Sequence, residues 1–158
     1  MAEEIAAVAS PRPWVQLAAL CQSALIENTG QVSIVRIIDR WMVVGPDREM
    51  QPTTIQLNMA VILKSDQMKG QYRLRIDLRS PTGSVTKGPE LPALFEGDDR
   101  GVQAILPTGV MVTEAGLYWF EVMVEDELIT RVPLRIMYQQ VHLPPGGAGL
   151  VGPGPQAG

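Results

Sequence analysis

One cysteine and one histidine among 158 residues leave little for chemistry to work with. A lone Cys21 permits no intrachain disulfide, and nothing else in the chain calls for an oxidising compartment. Its neighbours are apolar and uncharged, so it reads as a buried, inert thiol. His142 stands at the start of a Gly/Pro-rich tail, where neither packing nor a second group can hold its imidazole, and a mobile base is a poor base. There is no glycine-rich phosphate loop, no histidine-rich metal motif and no cysteine pair. Charge is sparse too: 19% of residues against the usual quarter or so, 13 basic against 17 acidic, for a net −4. That balance gives no basic field for nucleic acid. The first residues, Met1-Ala-Glu-Glu-Ile5, are acidic where a secretory signal is basic. The longest charge-free apolar run, Trp14 to Ile26, is too short to span a bilayer. These absences predict a soluble, cytoplasmic, non-catalytic protein that needs no cofactor.

Glycine (15) and proline (13) are plentiful, which fits a loop-rich β protein. The organising stretch is Gly116 to Ile136. Tyr118, Phe120, Val122 and Val124 alternate with Trp119, Glu121, Met123 and Glu125. Beyond a turn, Leu128, Val132, Leu134 and Ile136 alternate with Ile129, Arg131, Pro133 and Arg135. This period of two marks a hairpin with one dry and one wetter face. Matching the two apolar faces requires an odd loop, Glu125-Asp126-Glu127. Val124 then faces Leu128, Phe120 faces Val132 and Tyr118 faces Leu134. On the other face Glu121 meets Arg131 as an exposed pair, and Trp119 lies over Pro133. Pro133 cannot donate a ladder hydrogen bond, so it predicts an edge or a bulge.

Residues 1–13 read as a flexible leader, 14–142 as one domain and 143–158 as a disordered tail too poor in apolar surface to order itself. Residues 14–26 fit a helix by their Ala and Gln content and a strand by their downstream neighbours. The turn at Glu27 to Gly30 and the Val/Ile-rich run to Val44 favour a hairpin of 15–26 with 31–44. Ile55 to Leu63 and Tyr72 to Arg79 alternate as two strands with a polar turn between them. Pro81-Thr82-Gly83 is a further turn, residues 84–100 are irregular, and Val102 to Val112 is a weaker strand. Seven to eight short strands predict an all-β, antiparallel β-sandwich, immunoglobulin-like or C2-like.

Glu114-Ala115-Gly116-Leu117-Tyr118 resembles the acid-x-Gly-x-Tyr entry to a late strand of immunoglobulin-like sandwiches, where the Tyr hydroxyl ties a corner to the backbone. A second resemblance covers most of residues 15–137. It runs through Ala19-Leu20-Cys21, Gly30-Gln31-Val32-Ser33-Ile34, Ile37-Ile38-Asp39-Arg40, Pro81-Thr82-Gly83, Gly116 to Phe120 and Val132 to Ile136. This order is similar to a family of small prokaryotic β-sandwich domains catalogued as a domain of unknown function. Arg36 stands where that pattern leads one to expect glycine. The resemblance implies a bacterial sandwich domain and no particular activity.

Candidate sites are few. Asp39, next to Arg40 in an apolar run, reads as a strand-end acid paired to an arginine or capping a bulge. Trp14, Trp41 and Trp119 could form an aromatic platform, although burial is the commoner fate of tryptophan. Arg73, Arg75 and Arg79, with Asp77 among them, read as a solvated sheet face. A phosphate or acidic-partner site there would need more positive charge around it. Trp41, Trp119, Arg73, Arg75 and Arg79 are therefore the candidate interaction surface. The expected role is a binding or structural module acting through protein–protein contact, with another protein or a second copy as partner. The alternative is a calcium-dependent, C2-like ligand or membrane module. If the strand 102–112 and the organising hairpin meet at Thr113 to Leu117, their other ends share the opposite pole. That would gather Glu96, Asp98 and Asp99 with Glu125, Asp126 and Glu127, and calcium takes six to eight oxygen ligands. A hydrolase ranks last, for want of a fixed base.

Overall fold

The computed structural model describes residues 10–142 and Pro144; the leader and the tail lie largely outside the described residues. Eight strands occur in chain order: β1 (Trp14–Ile26), β2 (Val32–Ile37), β3 (Arg40–Gly45), β4 (Thr53–Arg79), β5 (Val85–Thr86), β6 (Leu91–Val112), β7 (Gly116–Val124) and β8 (Glu127–Gln140). The described residues contain no helix. The ambiguous stretch 14–26 is strand, and it pairs with β2 as a hairpin. The fold is all-β, in one open sheet of order β2-β1-β4-β7-β8-β3, with β5 and β6 also on β4. It is mixed rather than purely antiparallel, because β3 runs parallel to β8.

The long strand β4 is the spine. β6 accompanies one of its edges almost throughout, while β1 pairs with its first half and β7 with its second half on the other edge. Two expected strands and a polar turn are thus one strand. The residues between Lys64 and Lys69 are bulged rather than looped, with Asp66 in the left-handed region. Ser65 is buried at this bulge and accepts a hydrogen bond from the Glu96 amide, so its hydroxyl is satisfied. The irregular stretch before Val102 is likewise strand, since β6 begins at Leu91. Pro107 is tolerated because β6 has only β4 beside it there.

The inward rows of both halves of the sheet meet in one core. Leu20, Met59, Val61 and Leu63 share it with Phe120, Leu134 and Ile136. Tyr118 fixes a corner: its hydroxyl donates to the Glu114 carbonyl at 2.9 Å and accepts from the amides of Thr113 and Glu114. The hairpin holds the expected register through Tyr118–Leu134, Trp119–Pro133, Phe120–Val132 and Glu121–Arg131. Its turn does not. Val124 pairs with Glu127 and Met123 with Leu128, so the loop is the two residues Glu125-Asp126. Both are left-handed, as a two-residue hairpin turn of the strand-twist-matching kind demands. A bulge at Ile129 absorbs the odd residue that parity alone assigns to the loop. Pro133 lies just before the β3–β8 pairing starts at Arg135, so its missing N–H costs no ladder bond.

The predicted hairpin of 15–26 with 31–44 holds only as far as Ile37. The chain then crosses through Ile38-Asp39 to the far end of the sheet, where β3 joins β8. Two backbone bonds anchor the crossing, from the Ile38 amide to Leu20 and from the Arg135 amide to Asp39.

Candidate functional site

The arginine stripe is solvated only at its ends, Arg73 and Arg79, and is buried in the middle. By strand pairing, Arg75, Asp77 and Arg79 share a face with Met123, Glu121 and Trp119. The Gly88 amide, Glu90 and Asp126 of the β7–β8 turn reach its middle. Arg75 and Asp77 retain only 7% and 4% of their accessible surface. The Arg75 guanidinium grips Asp77 with two bonds, Nε to Oδ1 at 2.6 Å and Nη2 to Oδ2 at 3.0 Å, and donates to Asp126 at 2.7 Å. Asp77 also accepts from the Gly88 amide at 3.2 Å. A Cβ at Gly88 would lie 2.2 Å from the Ile76 carbonyl oxygen, so only glycine allows the covering segment this approach. Arg73 bonds Glu125 through its backbone amide and its guanidinium and reaches Glu90 at 3.6 Å. Arg79 holds the buried Glu121 at 2.6 Å. Glu121 is therefore not the exposed partner of Arg131. That guanidinium instead lies 4.3 Å from the centroid of Trp119, which it covers as a cation–π contact.

This network sets three arginines against five carboxylates, Asp77, Glu90, Glu121, Glu125 and Asp126. It has no positive surplus for a phosphate. The Arg73 bond holds the Glu125 carboxyl below its ordinary range, and the Arg75 bond does the same for Asp126. Glu90 was invisible to pattern reading, although Gly88-Pro89 just before it marks a chain held close to the sheet.

The six candidate calcium ligands are not gathered. Glu125 and Asp126 are engaged by Arg73 and Arg75, and Glu127 pairs with Arg12 at 3.2 Å. Glu96 faces Arg100, while Asp98 pairs with Asp66 at the β4 bulge. Asp66 is seven residues before Arg73, roughly 20 Å of strand at about 3.3 Å per residue. A shared acidic pole requires a strand that starts at Val102; β6 starts eleven residues earlier, which carries Asp98 and Asp99 into mid-strand. Among the described residues no group of three or more His, Cys, Asp or Glu side chains is placed to hold a metal ion.

Cys21 is fully buried, its thiol donates toward the Asn58 carbonyl at 3.6 Å, and burial pushes its pKa up. His142 is exposed just beyond β8. Trp14 is exposed at the start of β1, away from Trp41, and no three-tryptophan platform forms. Asp39 is exposed and paired with Arg40 at 3.0 Å, and that bond lowers its pKa.

Two surfaces remain open. The first is a cleft of about 490 Å³ where β1 leaves β4, lined by Gln22, Arg36, Arg40, Trp41, Met42 and Gln56, with Ile38 in its wall. Arg36 has φ 52°, a left-handed backbone at the position where glycine was expected. The second is the outer face of β1 and β2, open at Val35, Ile37 and Leu25 but buried toward β4 at Ala19, Cys21 and Ala60. Its paired rows are Leu17–Ile62–Gln103, Ala19–Ala60–Ile105, Ile37–Cys21–Asn58–Pro107, Val35–Ser23 and Ser33–Leu25. No charged residue occurs in these rows, and the one carboxylate bonded at their end is Glu27, which accepts from the Ser33 hydroxyl. Ile37 and Leu25 keep 65% and 60% of their surface. No helix among the described residues is long and apolar enough to cross a membrane.

The described residues define an open, mixed all-β sheet with an ionic network and two open surfaces. The chain belongs to a family of unknown function, DUF6941, whose model matches residues 16–137. No curated protein matches it.

Proposed function

We propose that this protein is a non-catalytic, cytoplasmic binding module that acts through protein–protein contact, its folded-over sheet being a sandwich of the immunoglobulin-like kind. The shared core and the Tyr118 corner support the sandwich. One observation carries the function: the uncharged outer face around Ile37, Val35 and Leu25. Contiguous exposed apolar surface on a soluble chain marks an interaction site. Nine residues of β1 at about 3.3 Å each, across rows that average just under three strands about 4.8 Å apart, give roughly 400 Å² in projection. That is about half of the approximately 800 Å² per partner of a standard interface, the size of a weak self-association. The partner we assign is a second copy. An apolar face is complementary to itself, and a two-fold axis sets it on its like.

Sedimentation velocity over a hundredfold concentration range tests this. The expected result is a monomer–dimer equilibrium that Ile37→Lys together with Leu25→Lys abolishes while the melting temperature holds. A monomer at every concentration, or a dimer indifferent to the two lysines, refutes it.

A further inference from the structure

The cleft beside β3 is a different surface, and the case for it does not depend on self-association. β3 pairs only with β8 among the described strands, so one of its edges is open. The Asp39 and Gly45 carbonyls accept bonds from Arg135 and Val141 on the β8 side. Backbone groups alternate sides along a strand, so those of Arg40, Met42 and Val44 point to the open edge. Three consecutive residues of β3, Arg40, Trp41 and Met42, line the cleft, which is what a cleft running along a strand edge requires. Arg36 and Arg40 are its only charged lining residues, and no carboxylate is among the lining side chains. Arg40 is shared with Asp39, whereas no carboxylate lies within ion-pair distance of Arg36 among the described residues. Arg36 also holds a left-handed backbone, a conformation that persists at binding sites when the surroundings fix it. Gln22 and Gln56 on the opposite wall offer amide donors and acceptors, and Trp41 a partly exposed ring.

We infer that this cleft binds an extended acidic segment of a partner protein by adding it as a strand to the open edge of β3. Main-chain bonds to Arg40, Met42 and Val44 would carry the peptide, and Arg36 and Arg40 would select carboxylates at alternate positions. A carboxylate in the cleft meets two guanidiniums and one competing acid, Asp39. A lysine there would meet like charge, so the same geometry that accepts an acidic strand rejects a basic one.

The test uses the full chain, ¹⁵N-labelled, and three probes: a blocked hexapeptide alternating Glu with Val, its Lys–Val counterpart, and inorganic phosphate. The expected result is binding of the acidic peptide, seen as shifts of the Arg40, Met42 and Val44 amides and a change in tryptophan fluorescence. Affinity should fall about tenfold in Arg36→Gly, which keeps the left-handed backbone, and again in Arg40→Gln. Equal binding of the Lys–Val peptide, equal shifts from phosphate alone, or no shift in those three amides each overturns the inference.

Discussion

Asp77 offers the sharpest test of the buried ionic layer. Replacing it with alanine leaves the Arg75 guanidinium under the Lys87–Glu90 segment without its two-bond partner, holding Asp126 at 2.7 Å and more distantly Glu90. Removing one partner of a buried pair costs about 3–5 kcal/mol. The surviving Asp126 contact puts Asp77→Ala at the lower end, about 3 kcal/mol. For a chain of this size that is a fall of roughly 6–12 °C in melting temperature. Arg75→Met isolates Asp77 in turn and should also melt early. The double variant Asp77→Leu with Arg75→Met removes both charges and refills the space. It should cost less than about 2 kcal/mol, the remaining loss being the Gly88 amide deprived of its acceptor. With Asp77→Leu and Arg75→Met as the single changes that close the cycle, the coupling energy between the two positions is at least about 2 kcal/mol. Urea unfolding at pH 7, with all variants compared at equal m-value, measures it. A loss under about 1 kcal/mol for Asp77→Ala, as for a surface pair, would refute the burial argument. So would strict additivity of the two single changes.

Acid should weaken the fold through Glu125 and Asp126. Their folded pKa values are depressed by Arg73 and Arg75, so their contribution is present above the ordinary values of 4.5 and 3.8 and is lost as pH falls through the lower folded values. Both groups are exposed, so the urea midpoint should drop below that range more steeply in low salt than in high salt; an unchanged slope in Glu125→Gln with Asp126→Asn would remove the cause. Arg36→Gly should raise stability by roughly 0.5–1 kcal/mol, the left-handed penalty of about 1–2 kcal/mol less the entropy of a glycine in the unfolded chain. A destabilised Arg36→Gly in the same urea titration would show that Arg36 makes contacts worth more than its backbone strain.

Strand positions were readable wherever one face is dry. The Tyr118 to Val124 row and its partners from Val132 to Ile136 announced themselves by alternation, because a one-residue slip would expose the whole row. Where both faces are buried the signal inverted. Arg73, Arg75, Asp77 and Arg79 alternate with apolar residues as a surface strand does, yet Arg75 and Asp77 are buried, in contact with Asp126 and the Gly88 amide. Arg75 meets Asp126 across 51 residues of sequence, and a pairing that distant has no local signature. Bulges defeated the pattern in a different way. The extra residues at Ile129 and between Lys64 and Lys69 change parity within a strand; parity alone set the hairpin loop length, and the polar residues from Ser65 to Gly70 read as a turn. Arg36 shows the reverse case. Its place in a glycine position was visible in the sequence, while the left-handed backbone and the cleft beside it needed the fold.

The distribution of charge links the two open surfaces. Three arginines and five acids are committed to the network around Arg75, away from the ends of the open sheet. Exposed strand edges invite pairing, and proteins usually blunt them with charge. β2 and β3 end the sheet on either side of a two-residue crossing, and the cations near that crossing are Arg36 and Arg40, both in the cleft. The outer face of β1 and β2 has none. An edge with two arginines repels basic strands and admits acidic ones; a face with no charge admits its like. The two surfaces therefore need not compete, and Ile37→Lys should abolish self-association while leaving the acidic hexapeptide's affinity within about twofold, since Ile37 and the cleft-lining Gln22 point to opposite faces of the β1–β2 hairpin. A tenfold loss of peptide binding in Ile37→Lys would mean that one surface serves both partners.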